Sequence, residues 1–214
     1  VNYSFEVPTP PAPHPPAPPR STALRATARL TGDALDQAWE VYRQAFEPLE
    51  VLAVERHLMS RAEFDAVGAD ERVDKHVVLD EDGRVRAFGT LTAHFAAMPL
   101  LSEPFFAHRW PEHHAQRRLW YVGCVCVDPA RRGDGLLPAL MTSMCRVVGE
   151  EGGLAVLDVC RHNEEEVGLV GAIDRVLDAV APGARATRLD AQAFWAWEFP
   201  PAGRPDVVRP RGES

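Results

Sequence analysis

Apolar residues recur along this chain at two different spacings, and the switches between them divide it into elements. Leu35, Trp39, Tyr42 and Phe46 stand at helical spacing in ALDQAWEVYRQAF, with Thr31-Gly-Asp33 as the start signal and Pro48 as the stop. Ser60-Arg-Ala-Glu63 is a capping-box pattern that opens a second helix through about Val67, and the stretch from Val51 to Met59 before it also reads as helical. The period then changes to that of strands. His76 to Leu79, the turn Asp80-Glu-Asp-Gly83, and Val85 to His94 form a hairpin, because Asp-Gly between β-rich runs suits a tight two-strand turn. Residues 95–118 carry three prolines among many large apolar groups, which predicts an inserted loop with short helical turns.

Leu119 to Val127 is a continuous β-rich run, the pattern of a strand covered on both faces. The loop DPARRGDG and a helix to about Gly149 follow it, and LAVLDVC, residues 154–160, predicts a second buried strand. A helix opens at Asn163 and ends before Pro182-Gly183, and ATRLDAQAFWAWEF, residues 186–199, predicts one or two last strands. Proline-dense residues 7–20 cannot donate a backbone ladder and predict an extended arm. The organisation expected is therefore a proline-rich arm over residues 1–23, one α/β domain over 24–199, and a loose tail over 200–214.

Composition narrows the function classes. With 214 residues, 46% hydrophobic and 25% charged, the chain can bury one substantial core. A net charge of -8 argues against nucleic acid as a partner, since that role needs a basic face. No apolar run approaches the roughly 18 residues of a membrane span, and the start lacks the pattern of a signal peptide, so a cytoplasmic location and no membrane partner are expected. Cys124, Cys126, Cys145 and Cys160 lie in apolar segments, as buried thiols do. Cys124 and Cys126 share a strand face but lack further ligands at matching spacing, so core packing and no metal site are expected. His108, His113 and His114 with Glu103 and Glu112 read as a solvated part of the insertion, with an acceptor-site role second.

The chemistry concentrates in the strand-loop-helix unit at residues 124–141. An Arg-rich glycine turn entering a helix is a recipe for binding phosphate: unpaired N–H groups and the helix dipole face outward, and glycine lets the ligand approach. No Gly-Lys-Ser/Thr follows, and the glycines do not match a dinucleotide fingerprint. Val127-Asp-Pro129-Ala-Arg-Arg132-Gly133-Asp134-Gly135-Leu136-Leu137 resembles the acyl-CoA loop of the Gcn5-related N-acetyltransferase (GNAT) superfamily, Arg/Gln-x-x-Gly-x-Gly/Ala after a strand ending Val-x-Pro. The order of elements over residues 24–199 is similar to that family's too.

The resemblance implies an α/β fold with a mixed, mostly antiparallel central sheet flanked by helices, and acetyl-CoA or another acyl-CoA as co-substrate. It implies that Val125, Cys126 and Val127 face the pantetheine arm and that Arg132, Gly133, Asp134, Gly135, Leu136 and Leu137 hold the pyrophosphate, with Asn163 at the matching start of the later helix. Three residues depart from the family's pattern. Leu137 stands where a small residue is usual, Pro138 removes one amide from the first helical turn, and Val170 replaces the tyrosine that commonly protonates the leaving thiolate. Candidate catalytic groups are Tyr121, on the strand before the loop, and Cys160 and His162, after the following strand. The implied activity is acyl transfer to the amine of a small molecule or peptide, with a homodimer left open. A longer acyl donor, from CoA or a carrier protein, is the second reading, and a non-catalytic acyl-CoA-binding or docking module is the third.

Overall fold

The structure, a computed structural model, describes residues 22–55, 57–98 and 101–198. Strand β1 (Ala23–Thr27) precedes α1 (Gly32–Phe46), the single turn α2 (Leu49–Leu52) and α3 (Arg61–Ala69). The hairpin β2 (Asp74–Leu79) and β3 (Val85–Thr92) leads into the insertion, which holds α4 (Glu103–Arg109) and α5 (Pro111–Ala115). Then come β4 (Leu119–Val127), α6 (Leu136–Glu150), β5 (Leu154–Val156) and α7 (Leu169–Val180). The sheet order is β1-β2-β3-β4-β5, antiparallel throughout except for the parallel pair β4 and β5. This is the mixed α/β architecture that the sequence predicts.

Two helix layers close the sheet because alternate strand residues point to opposite faces. On one face Val77, Phe88, Cys124 and Cys126 pack against Tyr42, Val41 and Ala38 of α1 and Phe64 of α3. On the other, Val78, Ala87, Leu91 and Val122 pack against Leu136, Leu140 and Met144 of α6. Each fully buried side chain of this size contributes roughly 1.5–3 kcal/mol. The two cysteines of β4 are thus core residues, and the Cys126 thiol donates to the Phe88 carbonyl (3.2 Å) while burial pushes its pKa up. A third cluster ties the insertion to the start of β4 through Phe95, Phe106, Leu119 and Val156.

Local signals explain most element ends. Ser60 and Glu63 form the reciprocal capping box, with Ser60 Oγ accepting from Glu63 N–H at 3.3 Å and Glu63 accepting from Ser60 N–H at 2.7 Å. The Asp80 carboxylate accepts from the N–H groups of Asp82 and Arg84, both at 3.0 Å, and fixes the hairpin turn. The single lysine, Lys75, is fully buried on β2, and its ammonium donates to the Ala28 (2.8 Å) and Asp70 (2.5 Å) carbonyls. Among the described residues no helix is long and apolar enough to cross a membrane.

Four expectations need correction. The region from Val51 to Met59 is helical only to Leu52. The buried strand expected over residues 154–160 pairs only from Leu154 to Val156, because the chain leaves β4 beyond that point. No continuous helix begins at Asn163: a π-helical turn, His162–Glu166, comes first, and Gly168 in the left-handed region separates it from α7. Residues 186–198 form no strand. Their aromatic residues occupy both phases of a strand, so no single face could be buried, and Phe194, Trp195 and Trp197 are exposed. Strand β1 was absent from the sequence reading, since ALRAT is largely exposed and carries no periodic pattern. Residues 1–21 of the arm expected over 1–23, and the whole tail expected over 200–214, lie outside the described residues.

Candidate functional site

Strand β4 is paired very differently on its two sides. Toward β3 the register runs from Ala87↔Val127 to Thr92↔Tyr121, whereas toward β5 it covers only Leu119↔Leu154, Trp120↔Ala155 and Tyr121↔Val156. Past Tyr121, one edge of β4 has no strand partner among the described residues. The β3 side contains a bulge at that same place: Thr90 pairs with Cys124 and Leu91 with Val122, leaving Gly123 as the extra residue. Gly123 is required by space, because a Cβ there would sit 2.7 Å from Thr90 Oγ1.

In an antiparallel ladder, successive residues turn their N–H and C=O groups to opposite sides. The Asp128 N–H donates to the Arg86 carbonyl (2.8 Å), which puts Cys126 and Cys124 in phase with β3. The backbone groups of Val125 and Val127 therefore face the open edge. Of the three strand residues expected to meet pantetheine, these two present amides and carbonyls with no strand partner among the described residues, and Cys126 faces β3.

The open edge runs into the glycine loop. Gly133 (φ 91°) and Gly135 (φ 77°) both take left-handed backbone, and no atom lies within 4 Å of where either Cβ would be, so conformation demands glycine and the space above stays open. The first intrahelical bond of α6 joins Ala139 N–H to the Gly135 carbonyl (3.1 Å), which leaves the N–H groups of Leu136 and Leu137 ahead of the hydrogen-bonded helix. Pro138 occupies a position where no intrahelical donor is needed, so the helix forms without strain. The Leu136 side chain is buried in the core, so only its backbone faces the loop.

The two loop arginines divide the work. Arg131 folds back to Asp134 (2.6 Å) and lies 3.9 Å from Asp80, and its side chain is 17% exposed. Beneath it Arg86 joins Asp80 (2.7 Å) to Asp128 (2.8 Å), and Asp128 also accepts from Ala130 N–H (2.9 Å). The Arg86 guanidinium holds the Asp80 carboxyl below its ordinary pKa. This acid-base lattice fixes the loop. Asp134 belongs to it, since both its carboxylate and its N–H go to Arg131. Arg132 is exposed with no ion-pair partner among the described residues, so its charge is available to an anion.

At the fork between β4 and β5 stands Tyr121. Its hydroxyl donates a short hydrogen bond to Asp158, and burial together with that carboxylate pushes the phenol pKa well above the ordinary value. Tyr121 thus stays a neutral hydroxyl, unsuited to act as a base by itself. Cys160 and His162, both half-buried, follow on the chain that leaves β5, and Asn163 lies in the π-helical turn; among the described residues no hydrogen bond joins any of them to Tyr121. Val170 sits in the first turn of α7. Asp158 escaped the sequence reading, although a lone carboxylate inside LAVLDV was a readable signal. The Asp80-Arg86-Asp128 lattice had no such signal, because it is assembled from three separate segments.

No family model matches the sequence, and no curated protein matches it. Solved structures resemble it in fold. A tetramutant of the BH1408 protein from Bacillus halodurans is 14% identical, with 81% of this chain and 99% of that chain covered and a TM-score of 0.51. An aminoglycoside acetyltransferase from an uncultured soil metagenomic sample is 11% identical, with 83% and 97% covered and a TM-score of 0.49. A ribosomal-protein-alanine N-acetyltransferase from Brucella melitensis biovar Abortus is 15% identical, with 83% and 100% covered and a TM-score of 0.46. The architecture is the acyl-CoA N-acyltransferase (GNAT-like) fold.

Proposed function

We propose that this protein is an acyl-CoA-dependent N-acyltransferase that moves an acetyl group to the primary amine of a small molecule or peptide. The observation that carries the reading is the parting of β4 from β5 after Tyr121, which leaves strand amides open along a path ending at the glycine loop and Arg132. Val125 and Val127 hold the pantetheine amides, the N–H groups of Gly135, Leu136 and Leu137 with Arg132 hold the pyrophosphate, and the thioester lies at the fork beside Tyr121. The co-substrate supplies an activated carbonyl. The residues hold a neutral amine against it and remove its proton.

Tyr121 does this as a relay. Its oxygen accepts a hydrogen bond from the attacking amine while its own proton already points to Asp158, so one concerted shift leaves Tyr121 neutral and Asp158 protonated. His162 or Cys160, on the chain that leaves β5, returns a proton to the departing thiolate in the absence of a tyrosine at position 170. The pair Tyr121 and Asp158 favours an enzyme over a passive binding module. The insertion favours a short acyl group: the Phe95 and Phe106 rings pack tilted at 4.9 Å and Phe106 stacks on Trp110 at 6.3 Å, so the aromatics fill one another rather than line a long tunnel.

Calorimetric titration with acetyl-CoA tests the reading. The native chain is expected to bind, and Arg132→Glu to bind about tenfold or more weakly, because a charge-assisted phosphate contact is replaced by repulsion. Equal affinity in the two proteins would remove Arg132 from the site, and no binding by the native chain would end the proposal.

A further inference from the structure

A cavity of about 400 Å³ opens where β3 ends and β4 begins, lined by Arg72, His94, Phe95, Glu103, Arg117 and Leu119 among others. Its charged lining is mostly satisfied internally. The Arg72 guanidinium donates three hydrogen bonds to the Asp70 carboxylate (2.6, 2.9 and 3.2 Å), and Glu103 meets His114 at 2.9 Å. Arg117 is the exception: no carboxylate pairs with it among the described residues.

Arg117 also sits in an unusual backbone. It is the one described non-glycine residue with positive φ, at 53°. The turn after α5 is a Schellman motif, in which Arg118 N–H donates to the His113 carbonyl (2.8 Å) and Arg117 N–H to the His114 carbonyl (3.0 Å). Glycine normally fills that left-handed position. An arginine there forgoes local stability, and such outliers concentrate where a side chain is needed for binding.

The cavity shares its apolar packing with Tyr121. Leu119 and Phe95 line it and belong to the same cluster as Tyr121, which lies two residues further along β4, about 7 Å by strand geometry. An apolar floor, one free guanidinium and a neighbouring proton relay together describe the acceptor. Resting on the acyltransferase reading above, we infer that the acceptor is an amino carboxylate: its carboxylate pairs with Arg117, its short apolar body lies on Phe95 and Leu119, and its amine reaches Tyr121.

The test compares acyl acceptors that differ only in the carboxylate. With acetyl-CoA fixed, thiol release is measured with L-leucine against isoamylamine and with 6-aminohexanoate against pentylamine. At least one amino carboxylate is expected to exceed its carboxylate-free counterpart about tenfold or more in kcat/KM, the order of one charge-assisted pair. Arg117→Gly keeps the left-handed backbone and should unfold at the same or a higher temperature while losing that preference through KM; Arg117→Lys should retain part of it. Equal or better turnover of the uncharged amines, no turnover of any of the four, or a preference unchanged in Arg117→Gly overturns the inference. Calorimetry with 6-aminohexanoate and L-leucine without acetyl-CoA gives a separate answer. Binding of either one that depends on Arg117 supports the cavity even if acetyl-CoA fails to bind, whereas acetyl-CoA binding without it leaves the acyltransferase reading standing and removes the acceptor.

Discussion

The two edges of β4 differ in how far they are paired. Its β3 edge is paired from Tyr121 to Val127, interrupted only by the bulge at Gly123, and the side chains beside that edge are among the most buried of the described residues: Phe88 is 1% and Leu91 0% exposed. Its β5 edge is paired over three residues and then left open. Unpaired strand amides are normally a liability that proteins cover or pair. Here the open edge is short, begins at a bulge, and ends at a rigid loop, which is what a ligand that brings its own amides would require. Pairing is concentrated on one side of the strand, and the proposed function assigns the other side to the co-substrate.

That division predicts which substitutions affect activity and which affect folding. The largest effect is expected on the open side. Asp158→Asn should lower kcat about 100-fold or more, the usual weight of a positioned acid-base group, with little change in melting temperature because Asp158 is exposed. Tyr121→Phe should fall in the same direction. A loss of activity that tracks a loss of folded protein in circular dichroism would contradict the division.

A pH response is expected from the packed interior. His76, fully buried on β2, meets Ser143 of α6 at 2.8 Å through Nδ1, while its Nε2 has no hydrogen-bond partner among the described residues. Burial, with a smaller contribution from Arg146, lowers its pKa from 6.5 to about 4. Its depressed folded pKa means that the neutral ring stabilises fully above the unfolded pKa. That contribution fades as pH falls through 6.5 toward 4, by about 3 kcal/mol. Urea unfolding at pH 7 and pH 4.5 should show the loss, and His76→Gln should flatten it. A slope equal in both proteins would mean that the ring is protonated or hydrated in the folded state.

A smaller effect is expected at the bulge between the two edges. Gly123→Ala places a methyl 2.7 Å from Thr90 Oγ1 and should cost about 1–3 kcal/mol by overpacking, measured by thermal unfolding. Acetyl-CoA affinity should fall with it if the bulge aims β4 away from β5, and should stay constant if the bulge only relieves strain.

Much of this arrangement was legible in the chain. The capping box at Ser60, the Asp-Gly hairpin, the apolar run of β4 and the Arg132-Gly-x-Gly135 turn each encode local physics within a few residues, and each appears where the pattern placed it. The end of β5 was not legible, because LAVLDVC has strand composition throughout and only its neighbours decide where pairing stops. The aromatic run at residues 186–198 misled for the same reason: strand-forming side chains were present, but a partner edge was not. Within the candidate site, the loop could be read from one segment, whereas the Tyr121 and Asp158 pair depends on two strands meeting in parallel.

Amide hydrogen exchange tests the central claim most directly. On adding acetyl-CoA, the N–H groups of Val125 and Val127 and those of Gly135 to Leu137 should gain protection, while Cys126, already turned to β3, should change little. Acetyl-CoA binding that protects Cys126 and its neighbours equally, or that leaves Val125 and Val127 unchanged, would contradict the account.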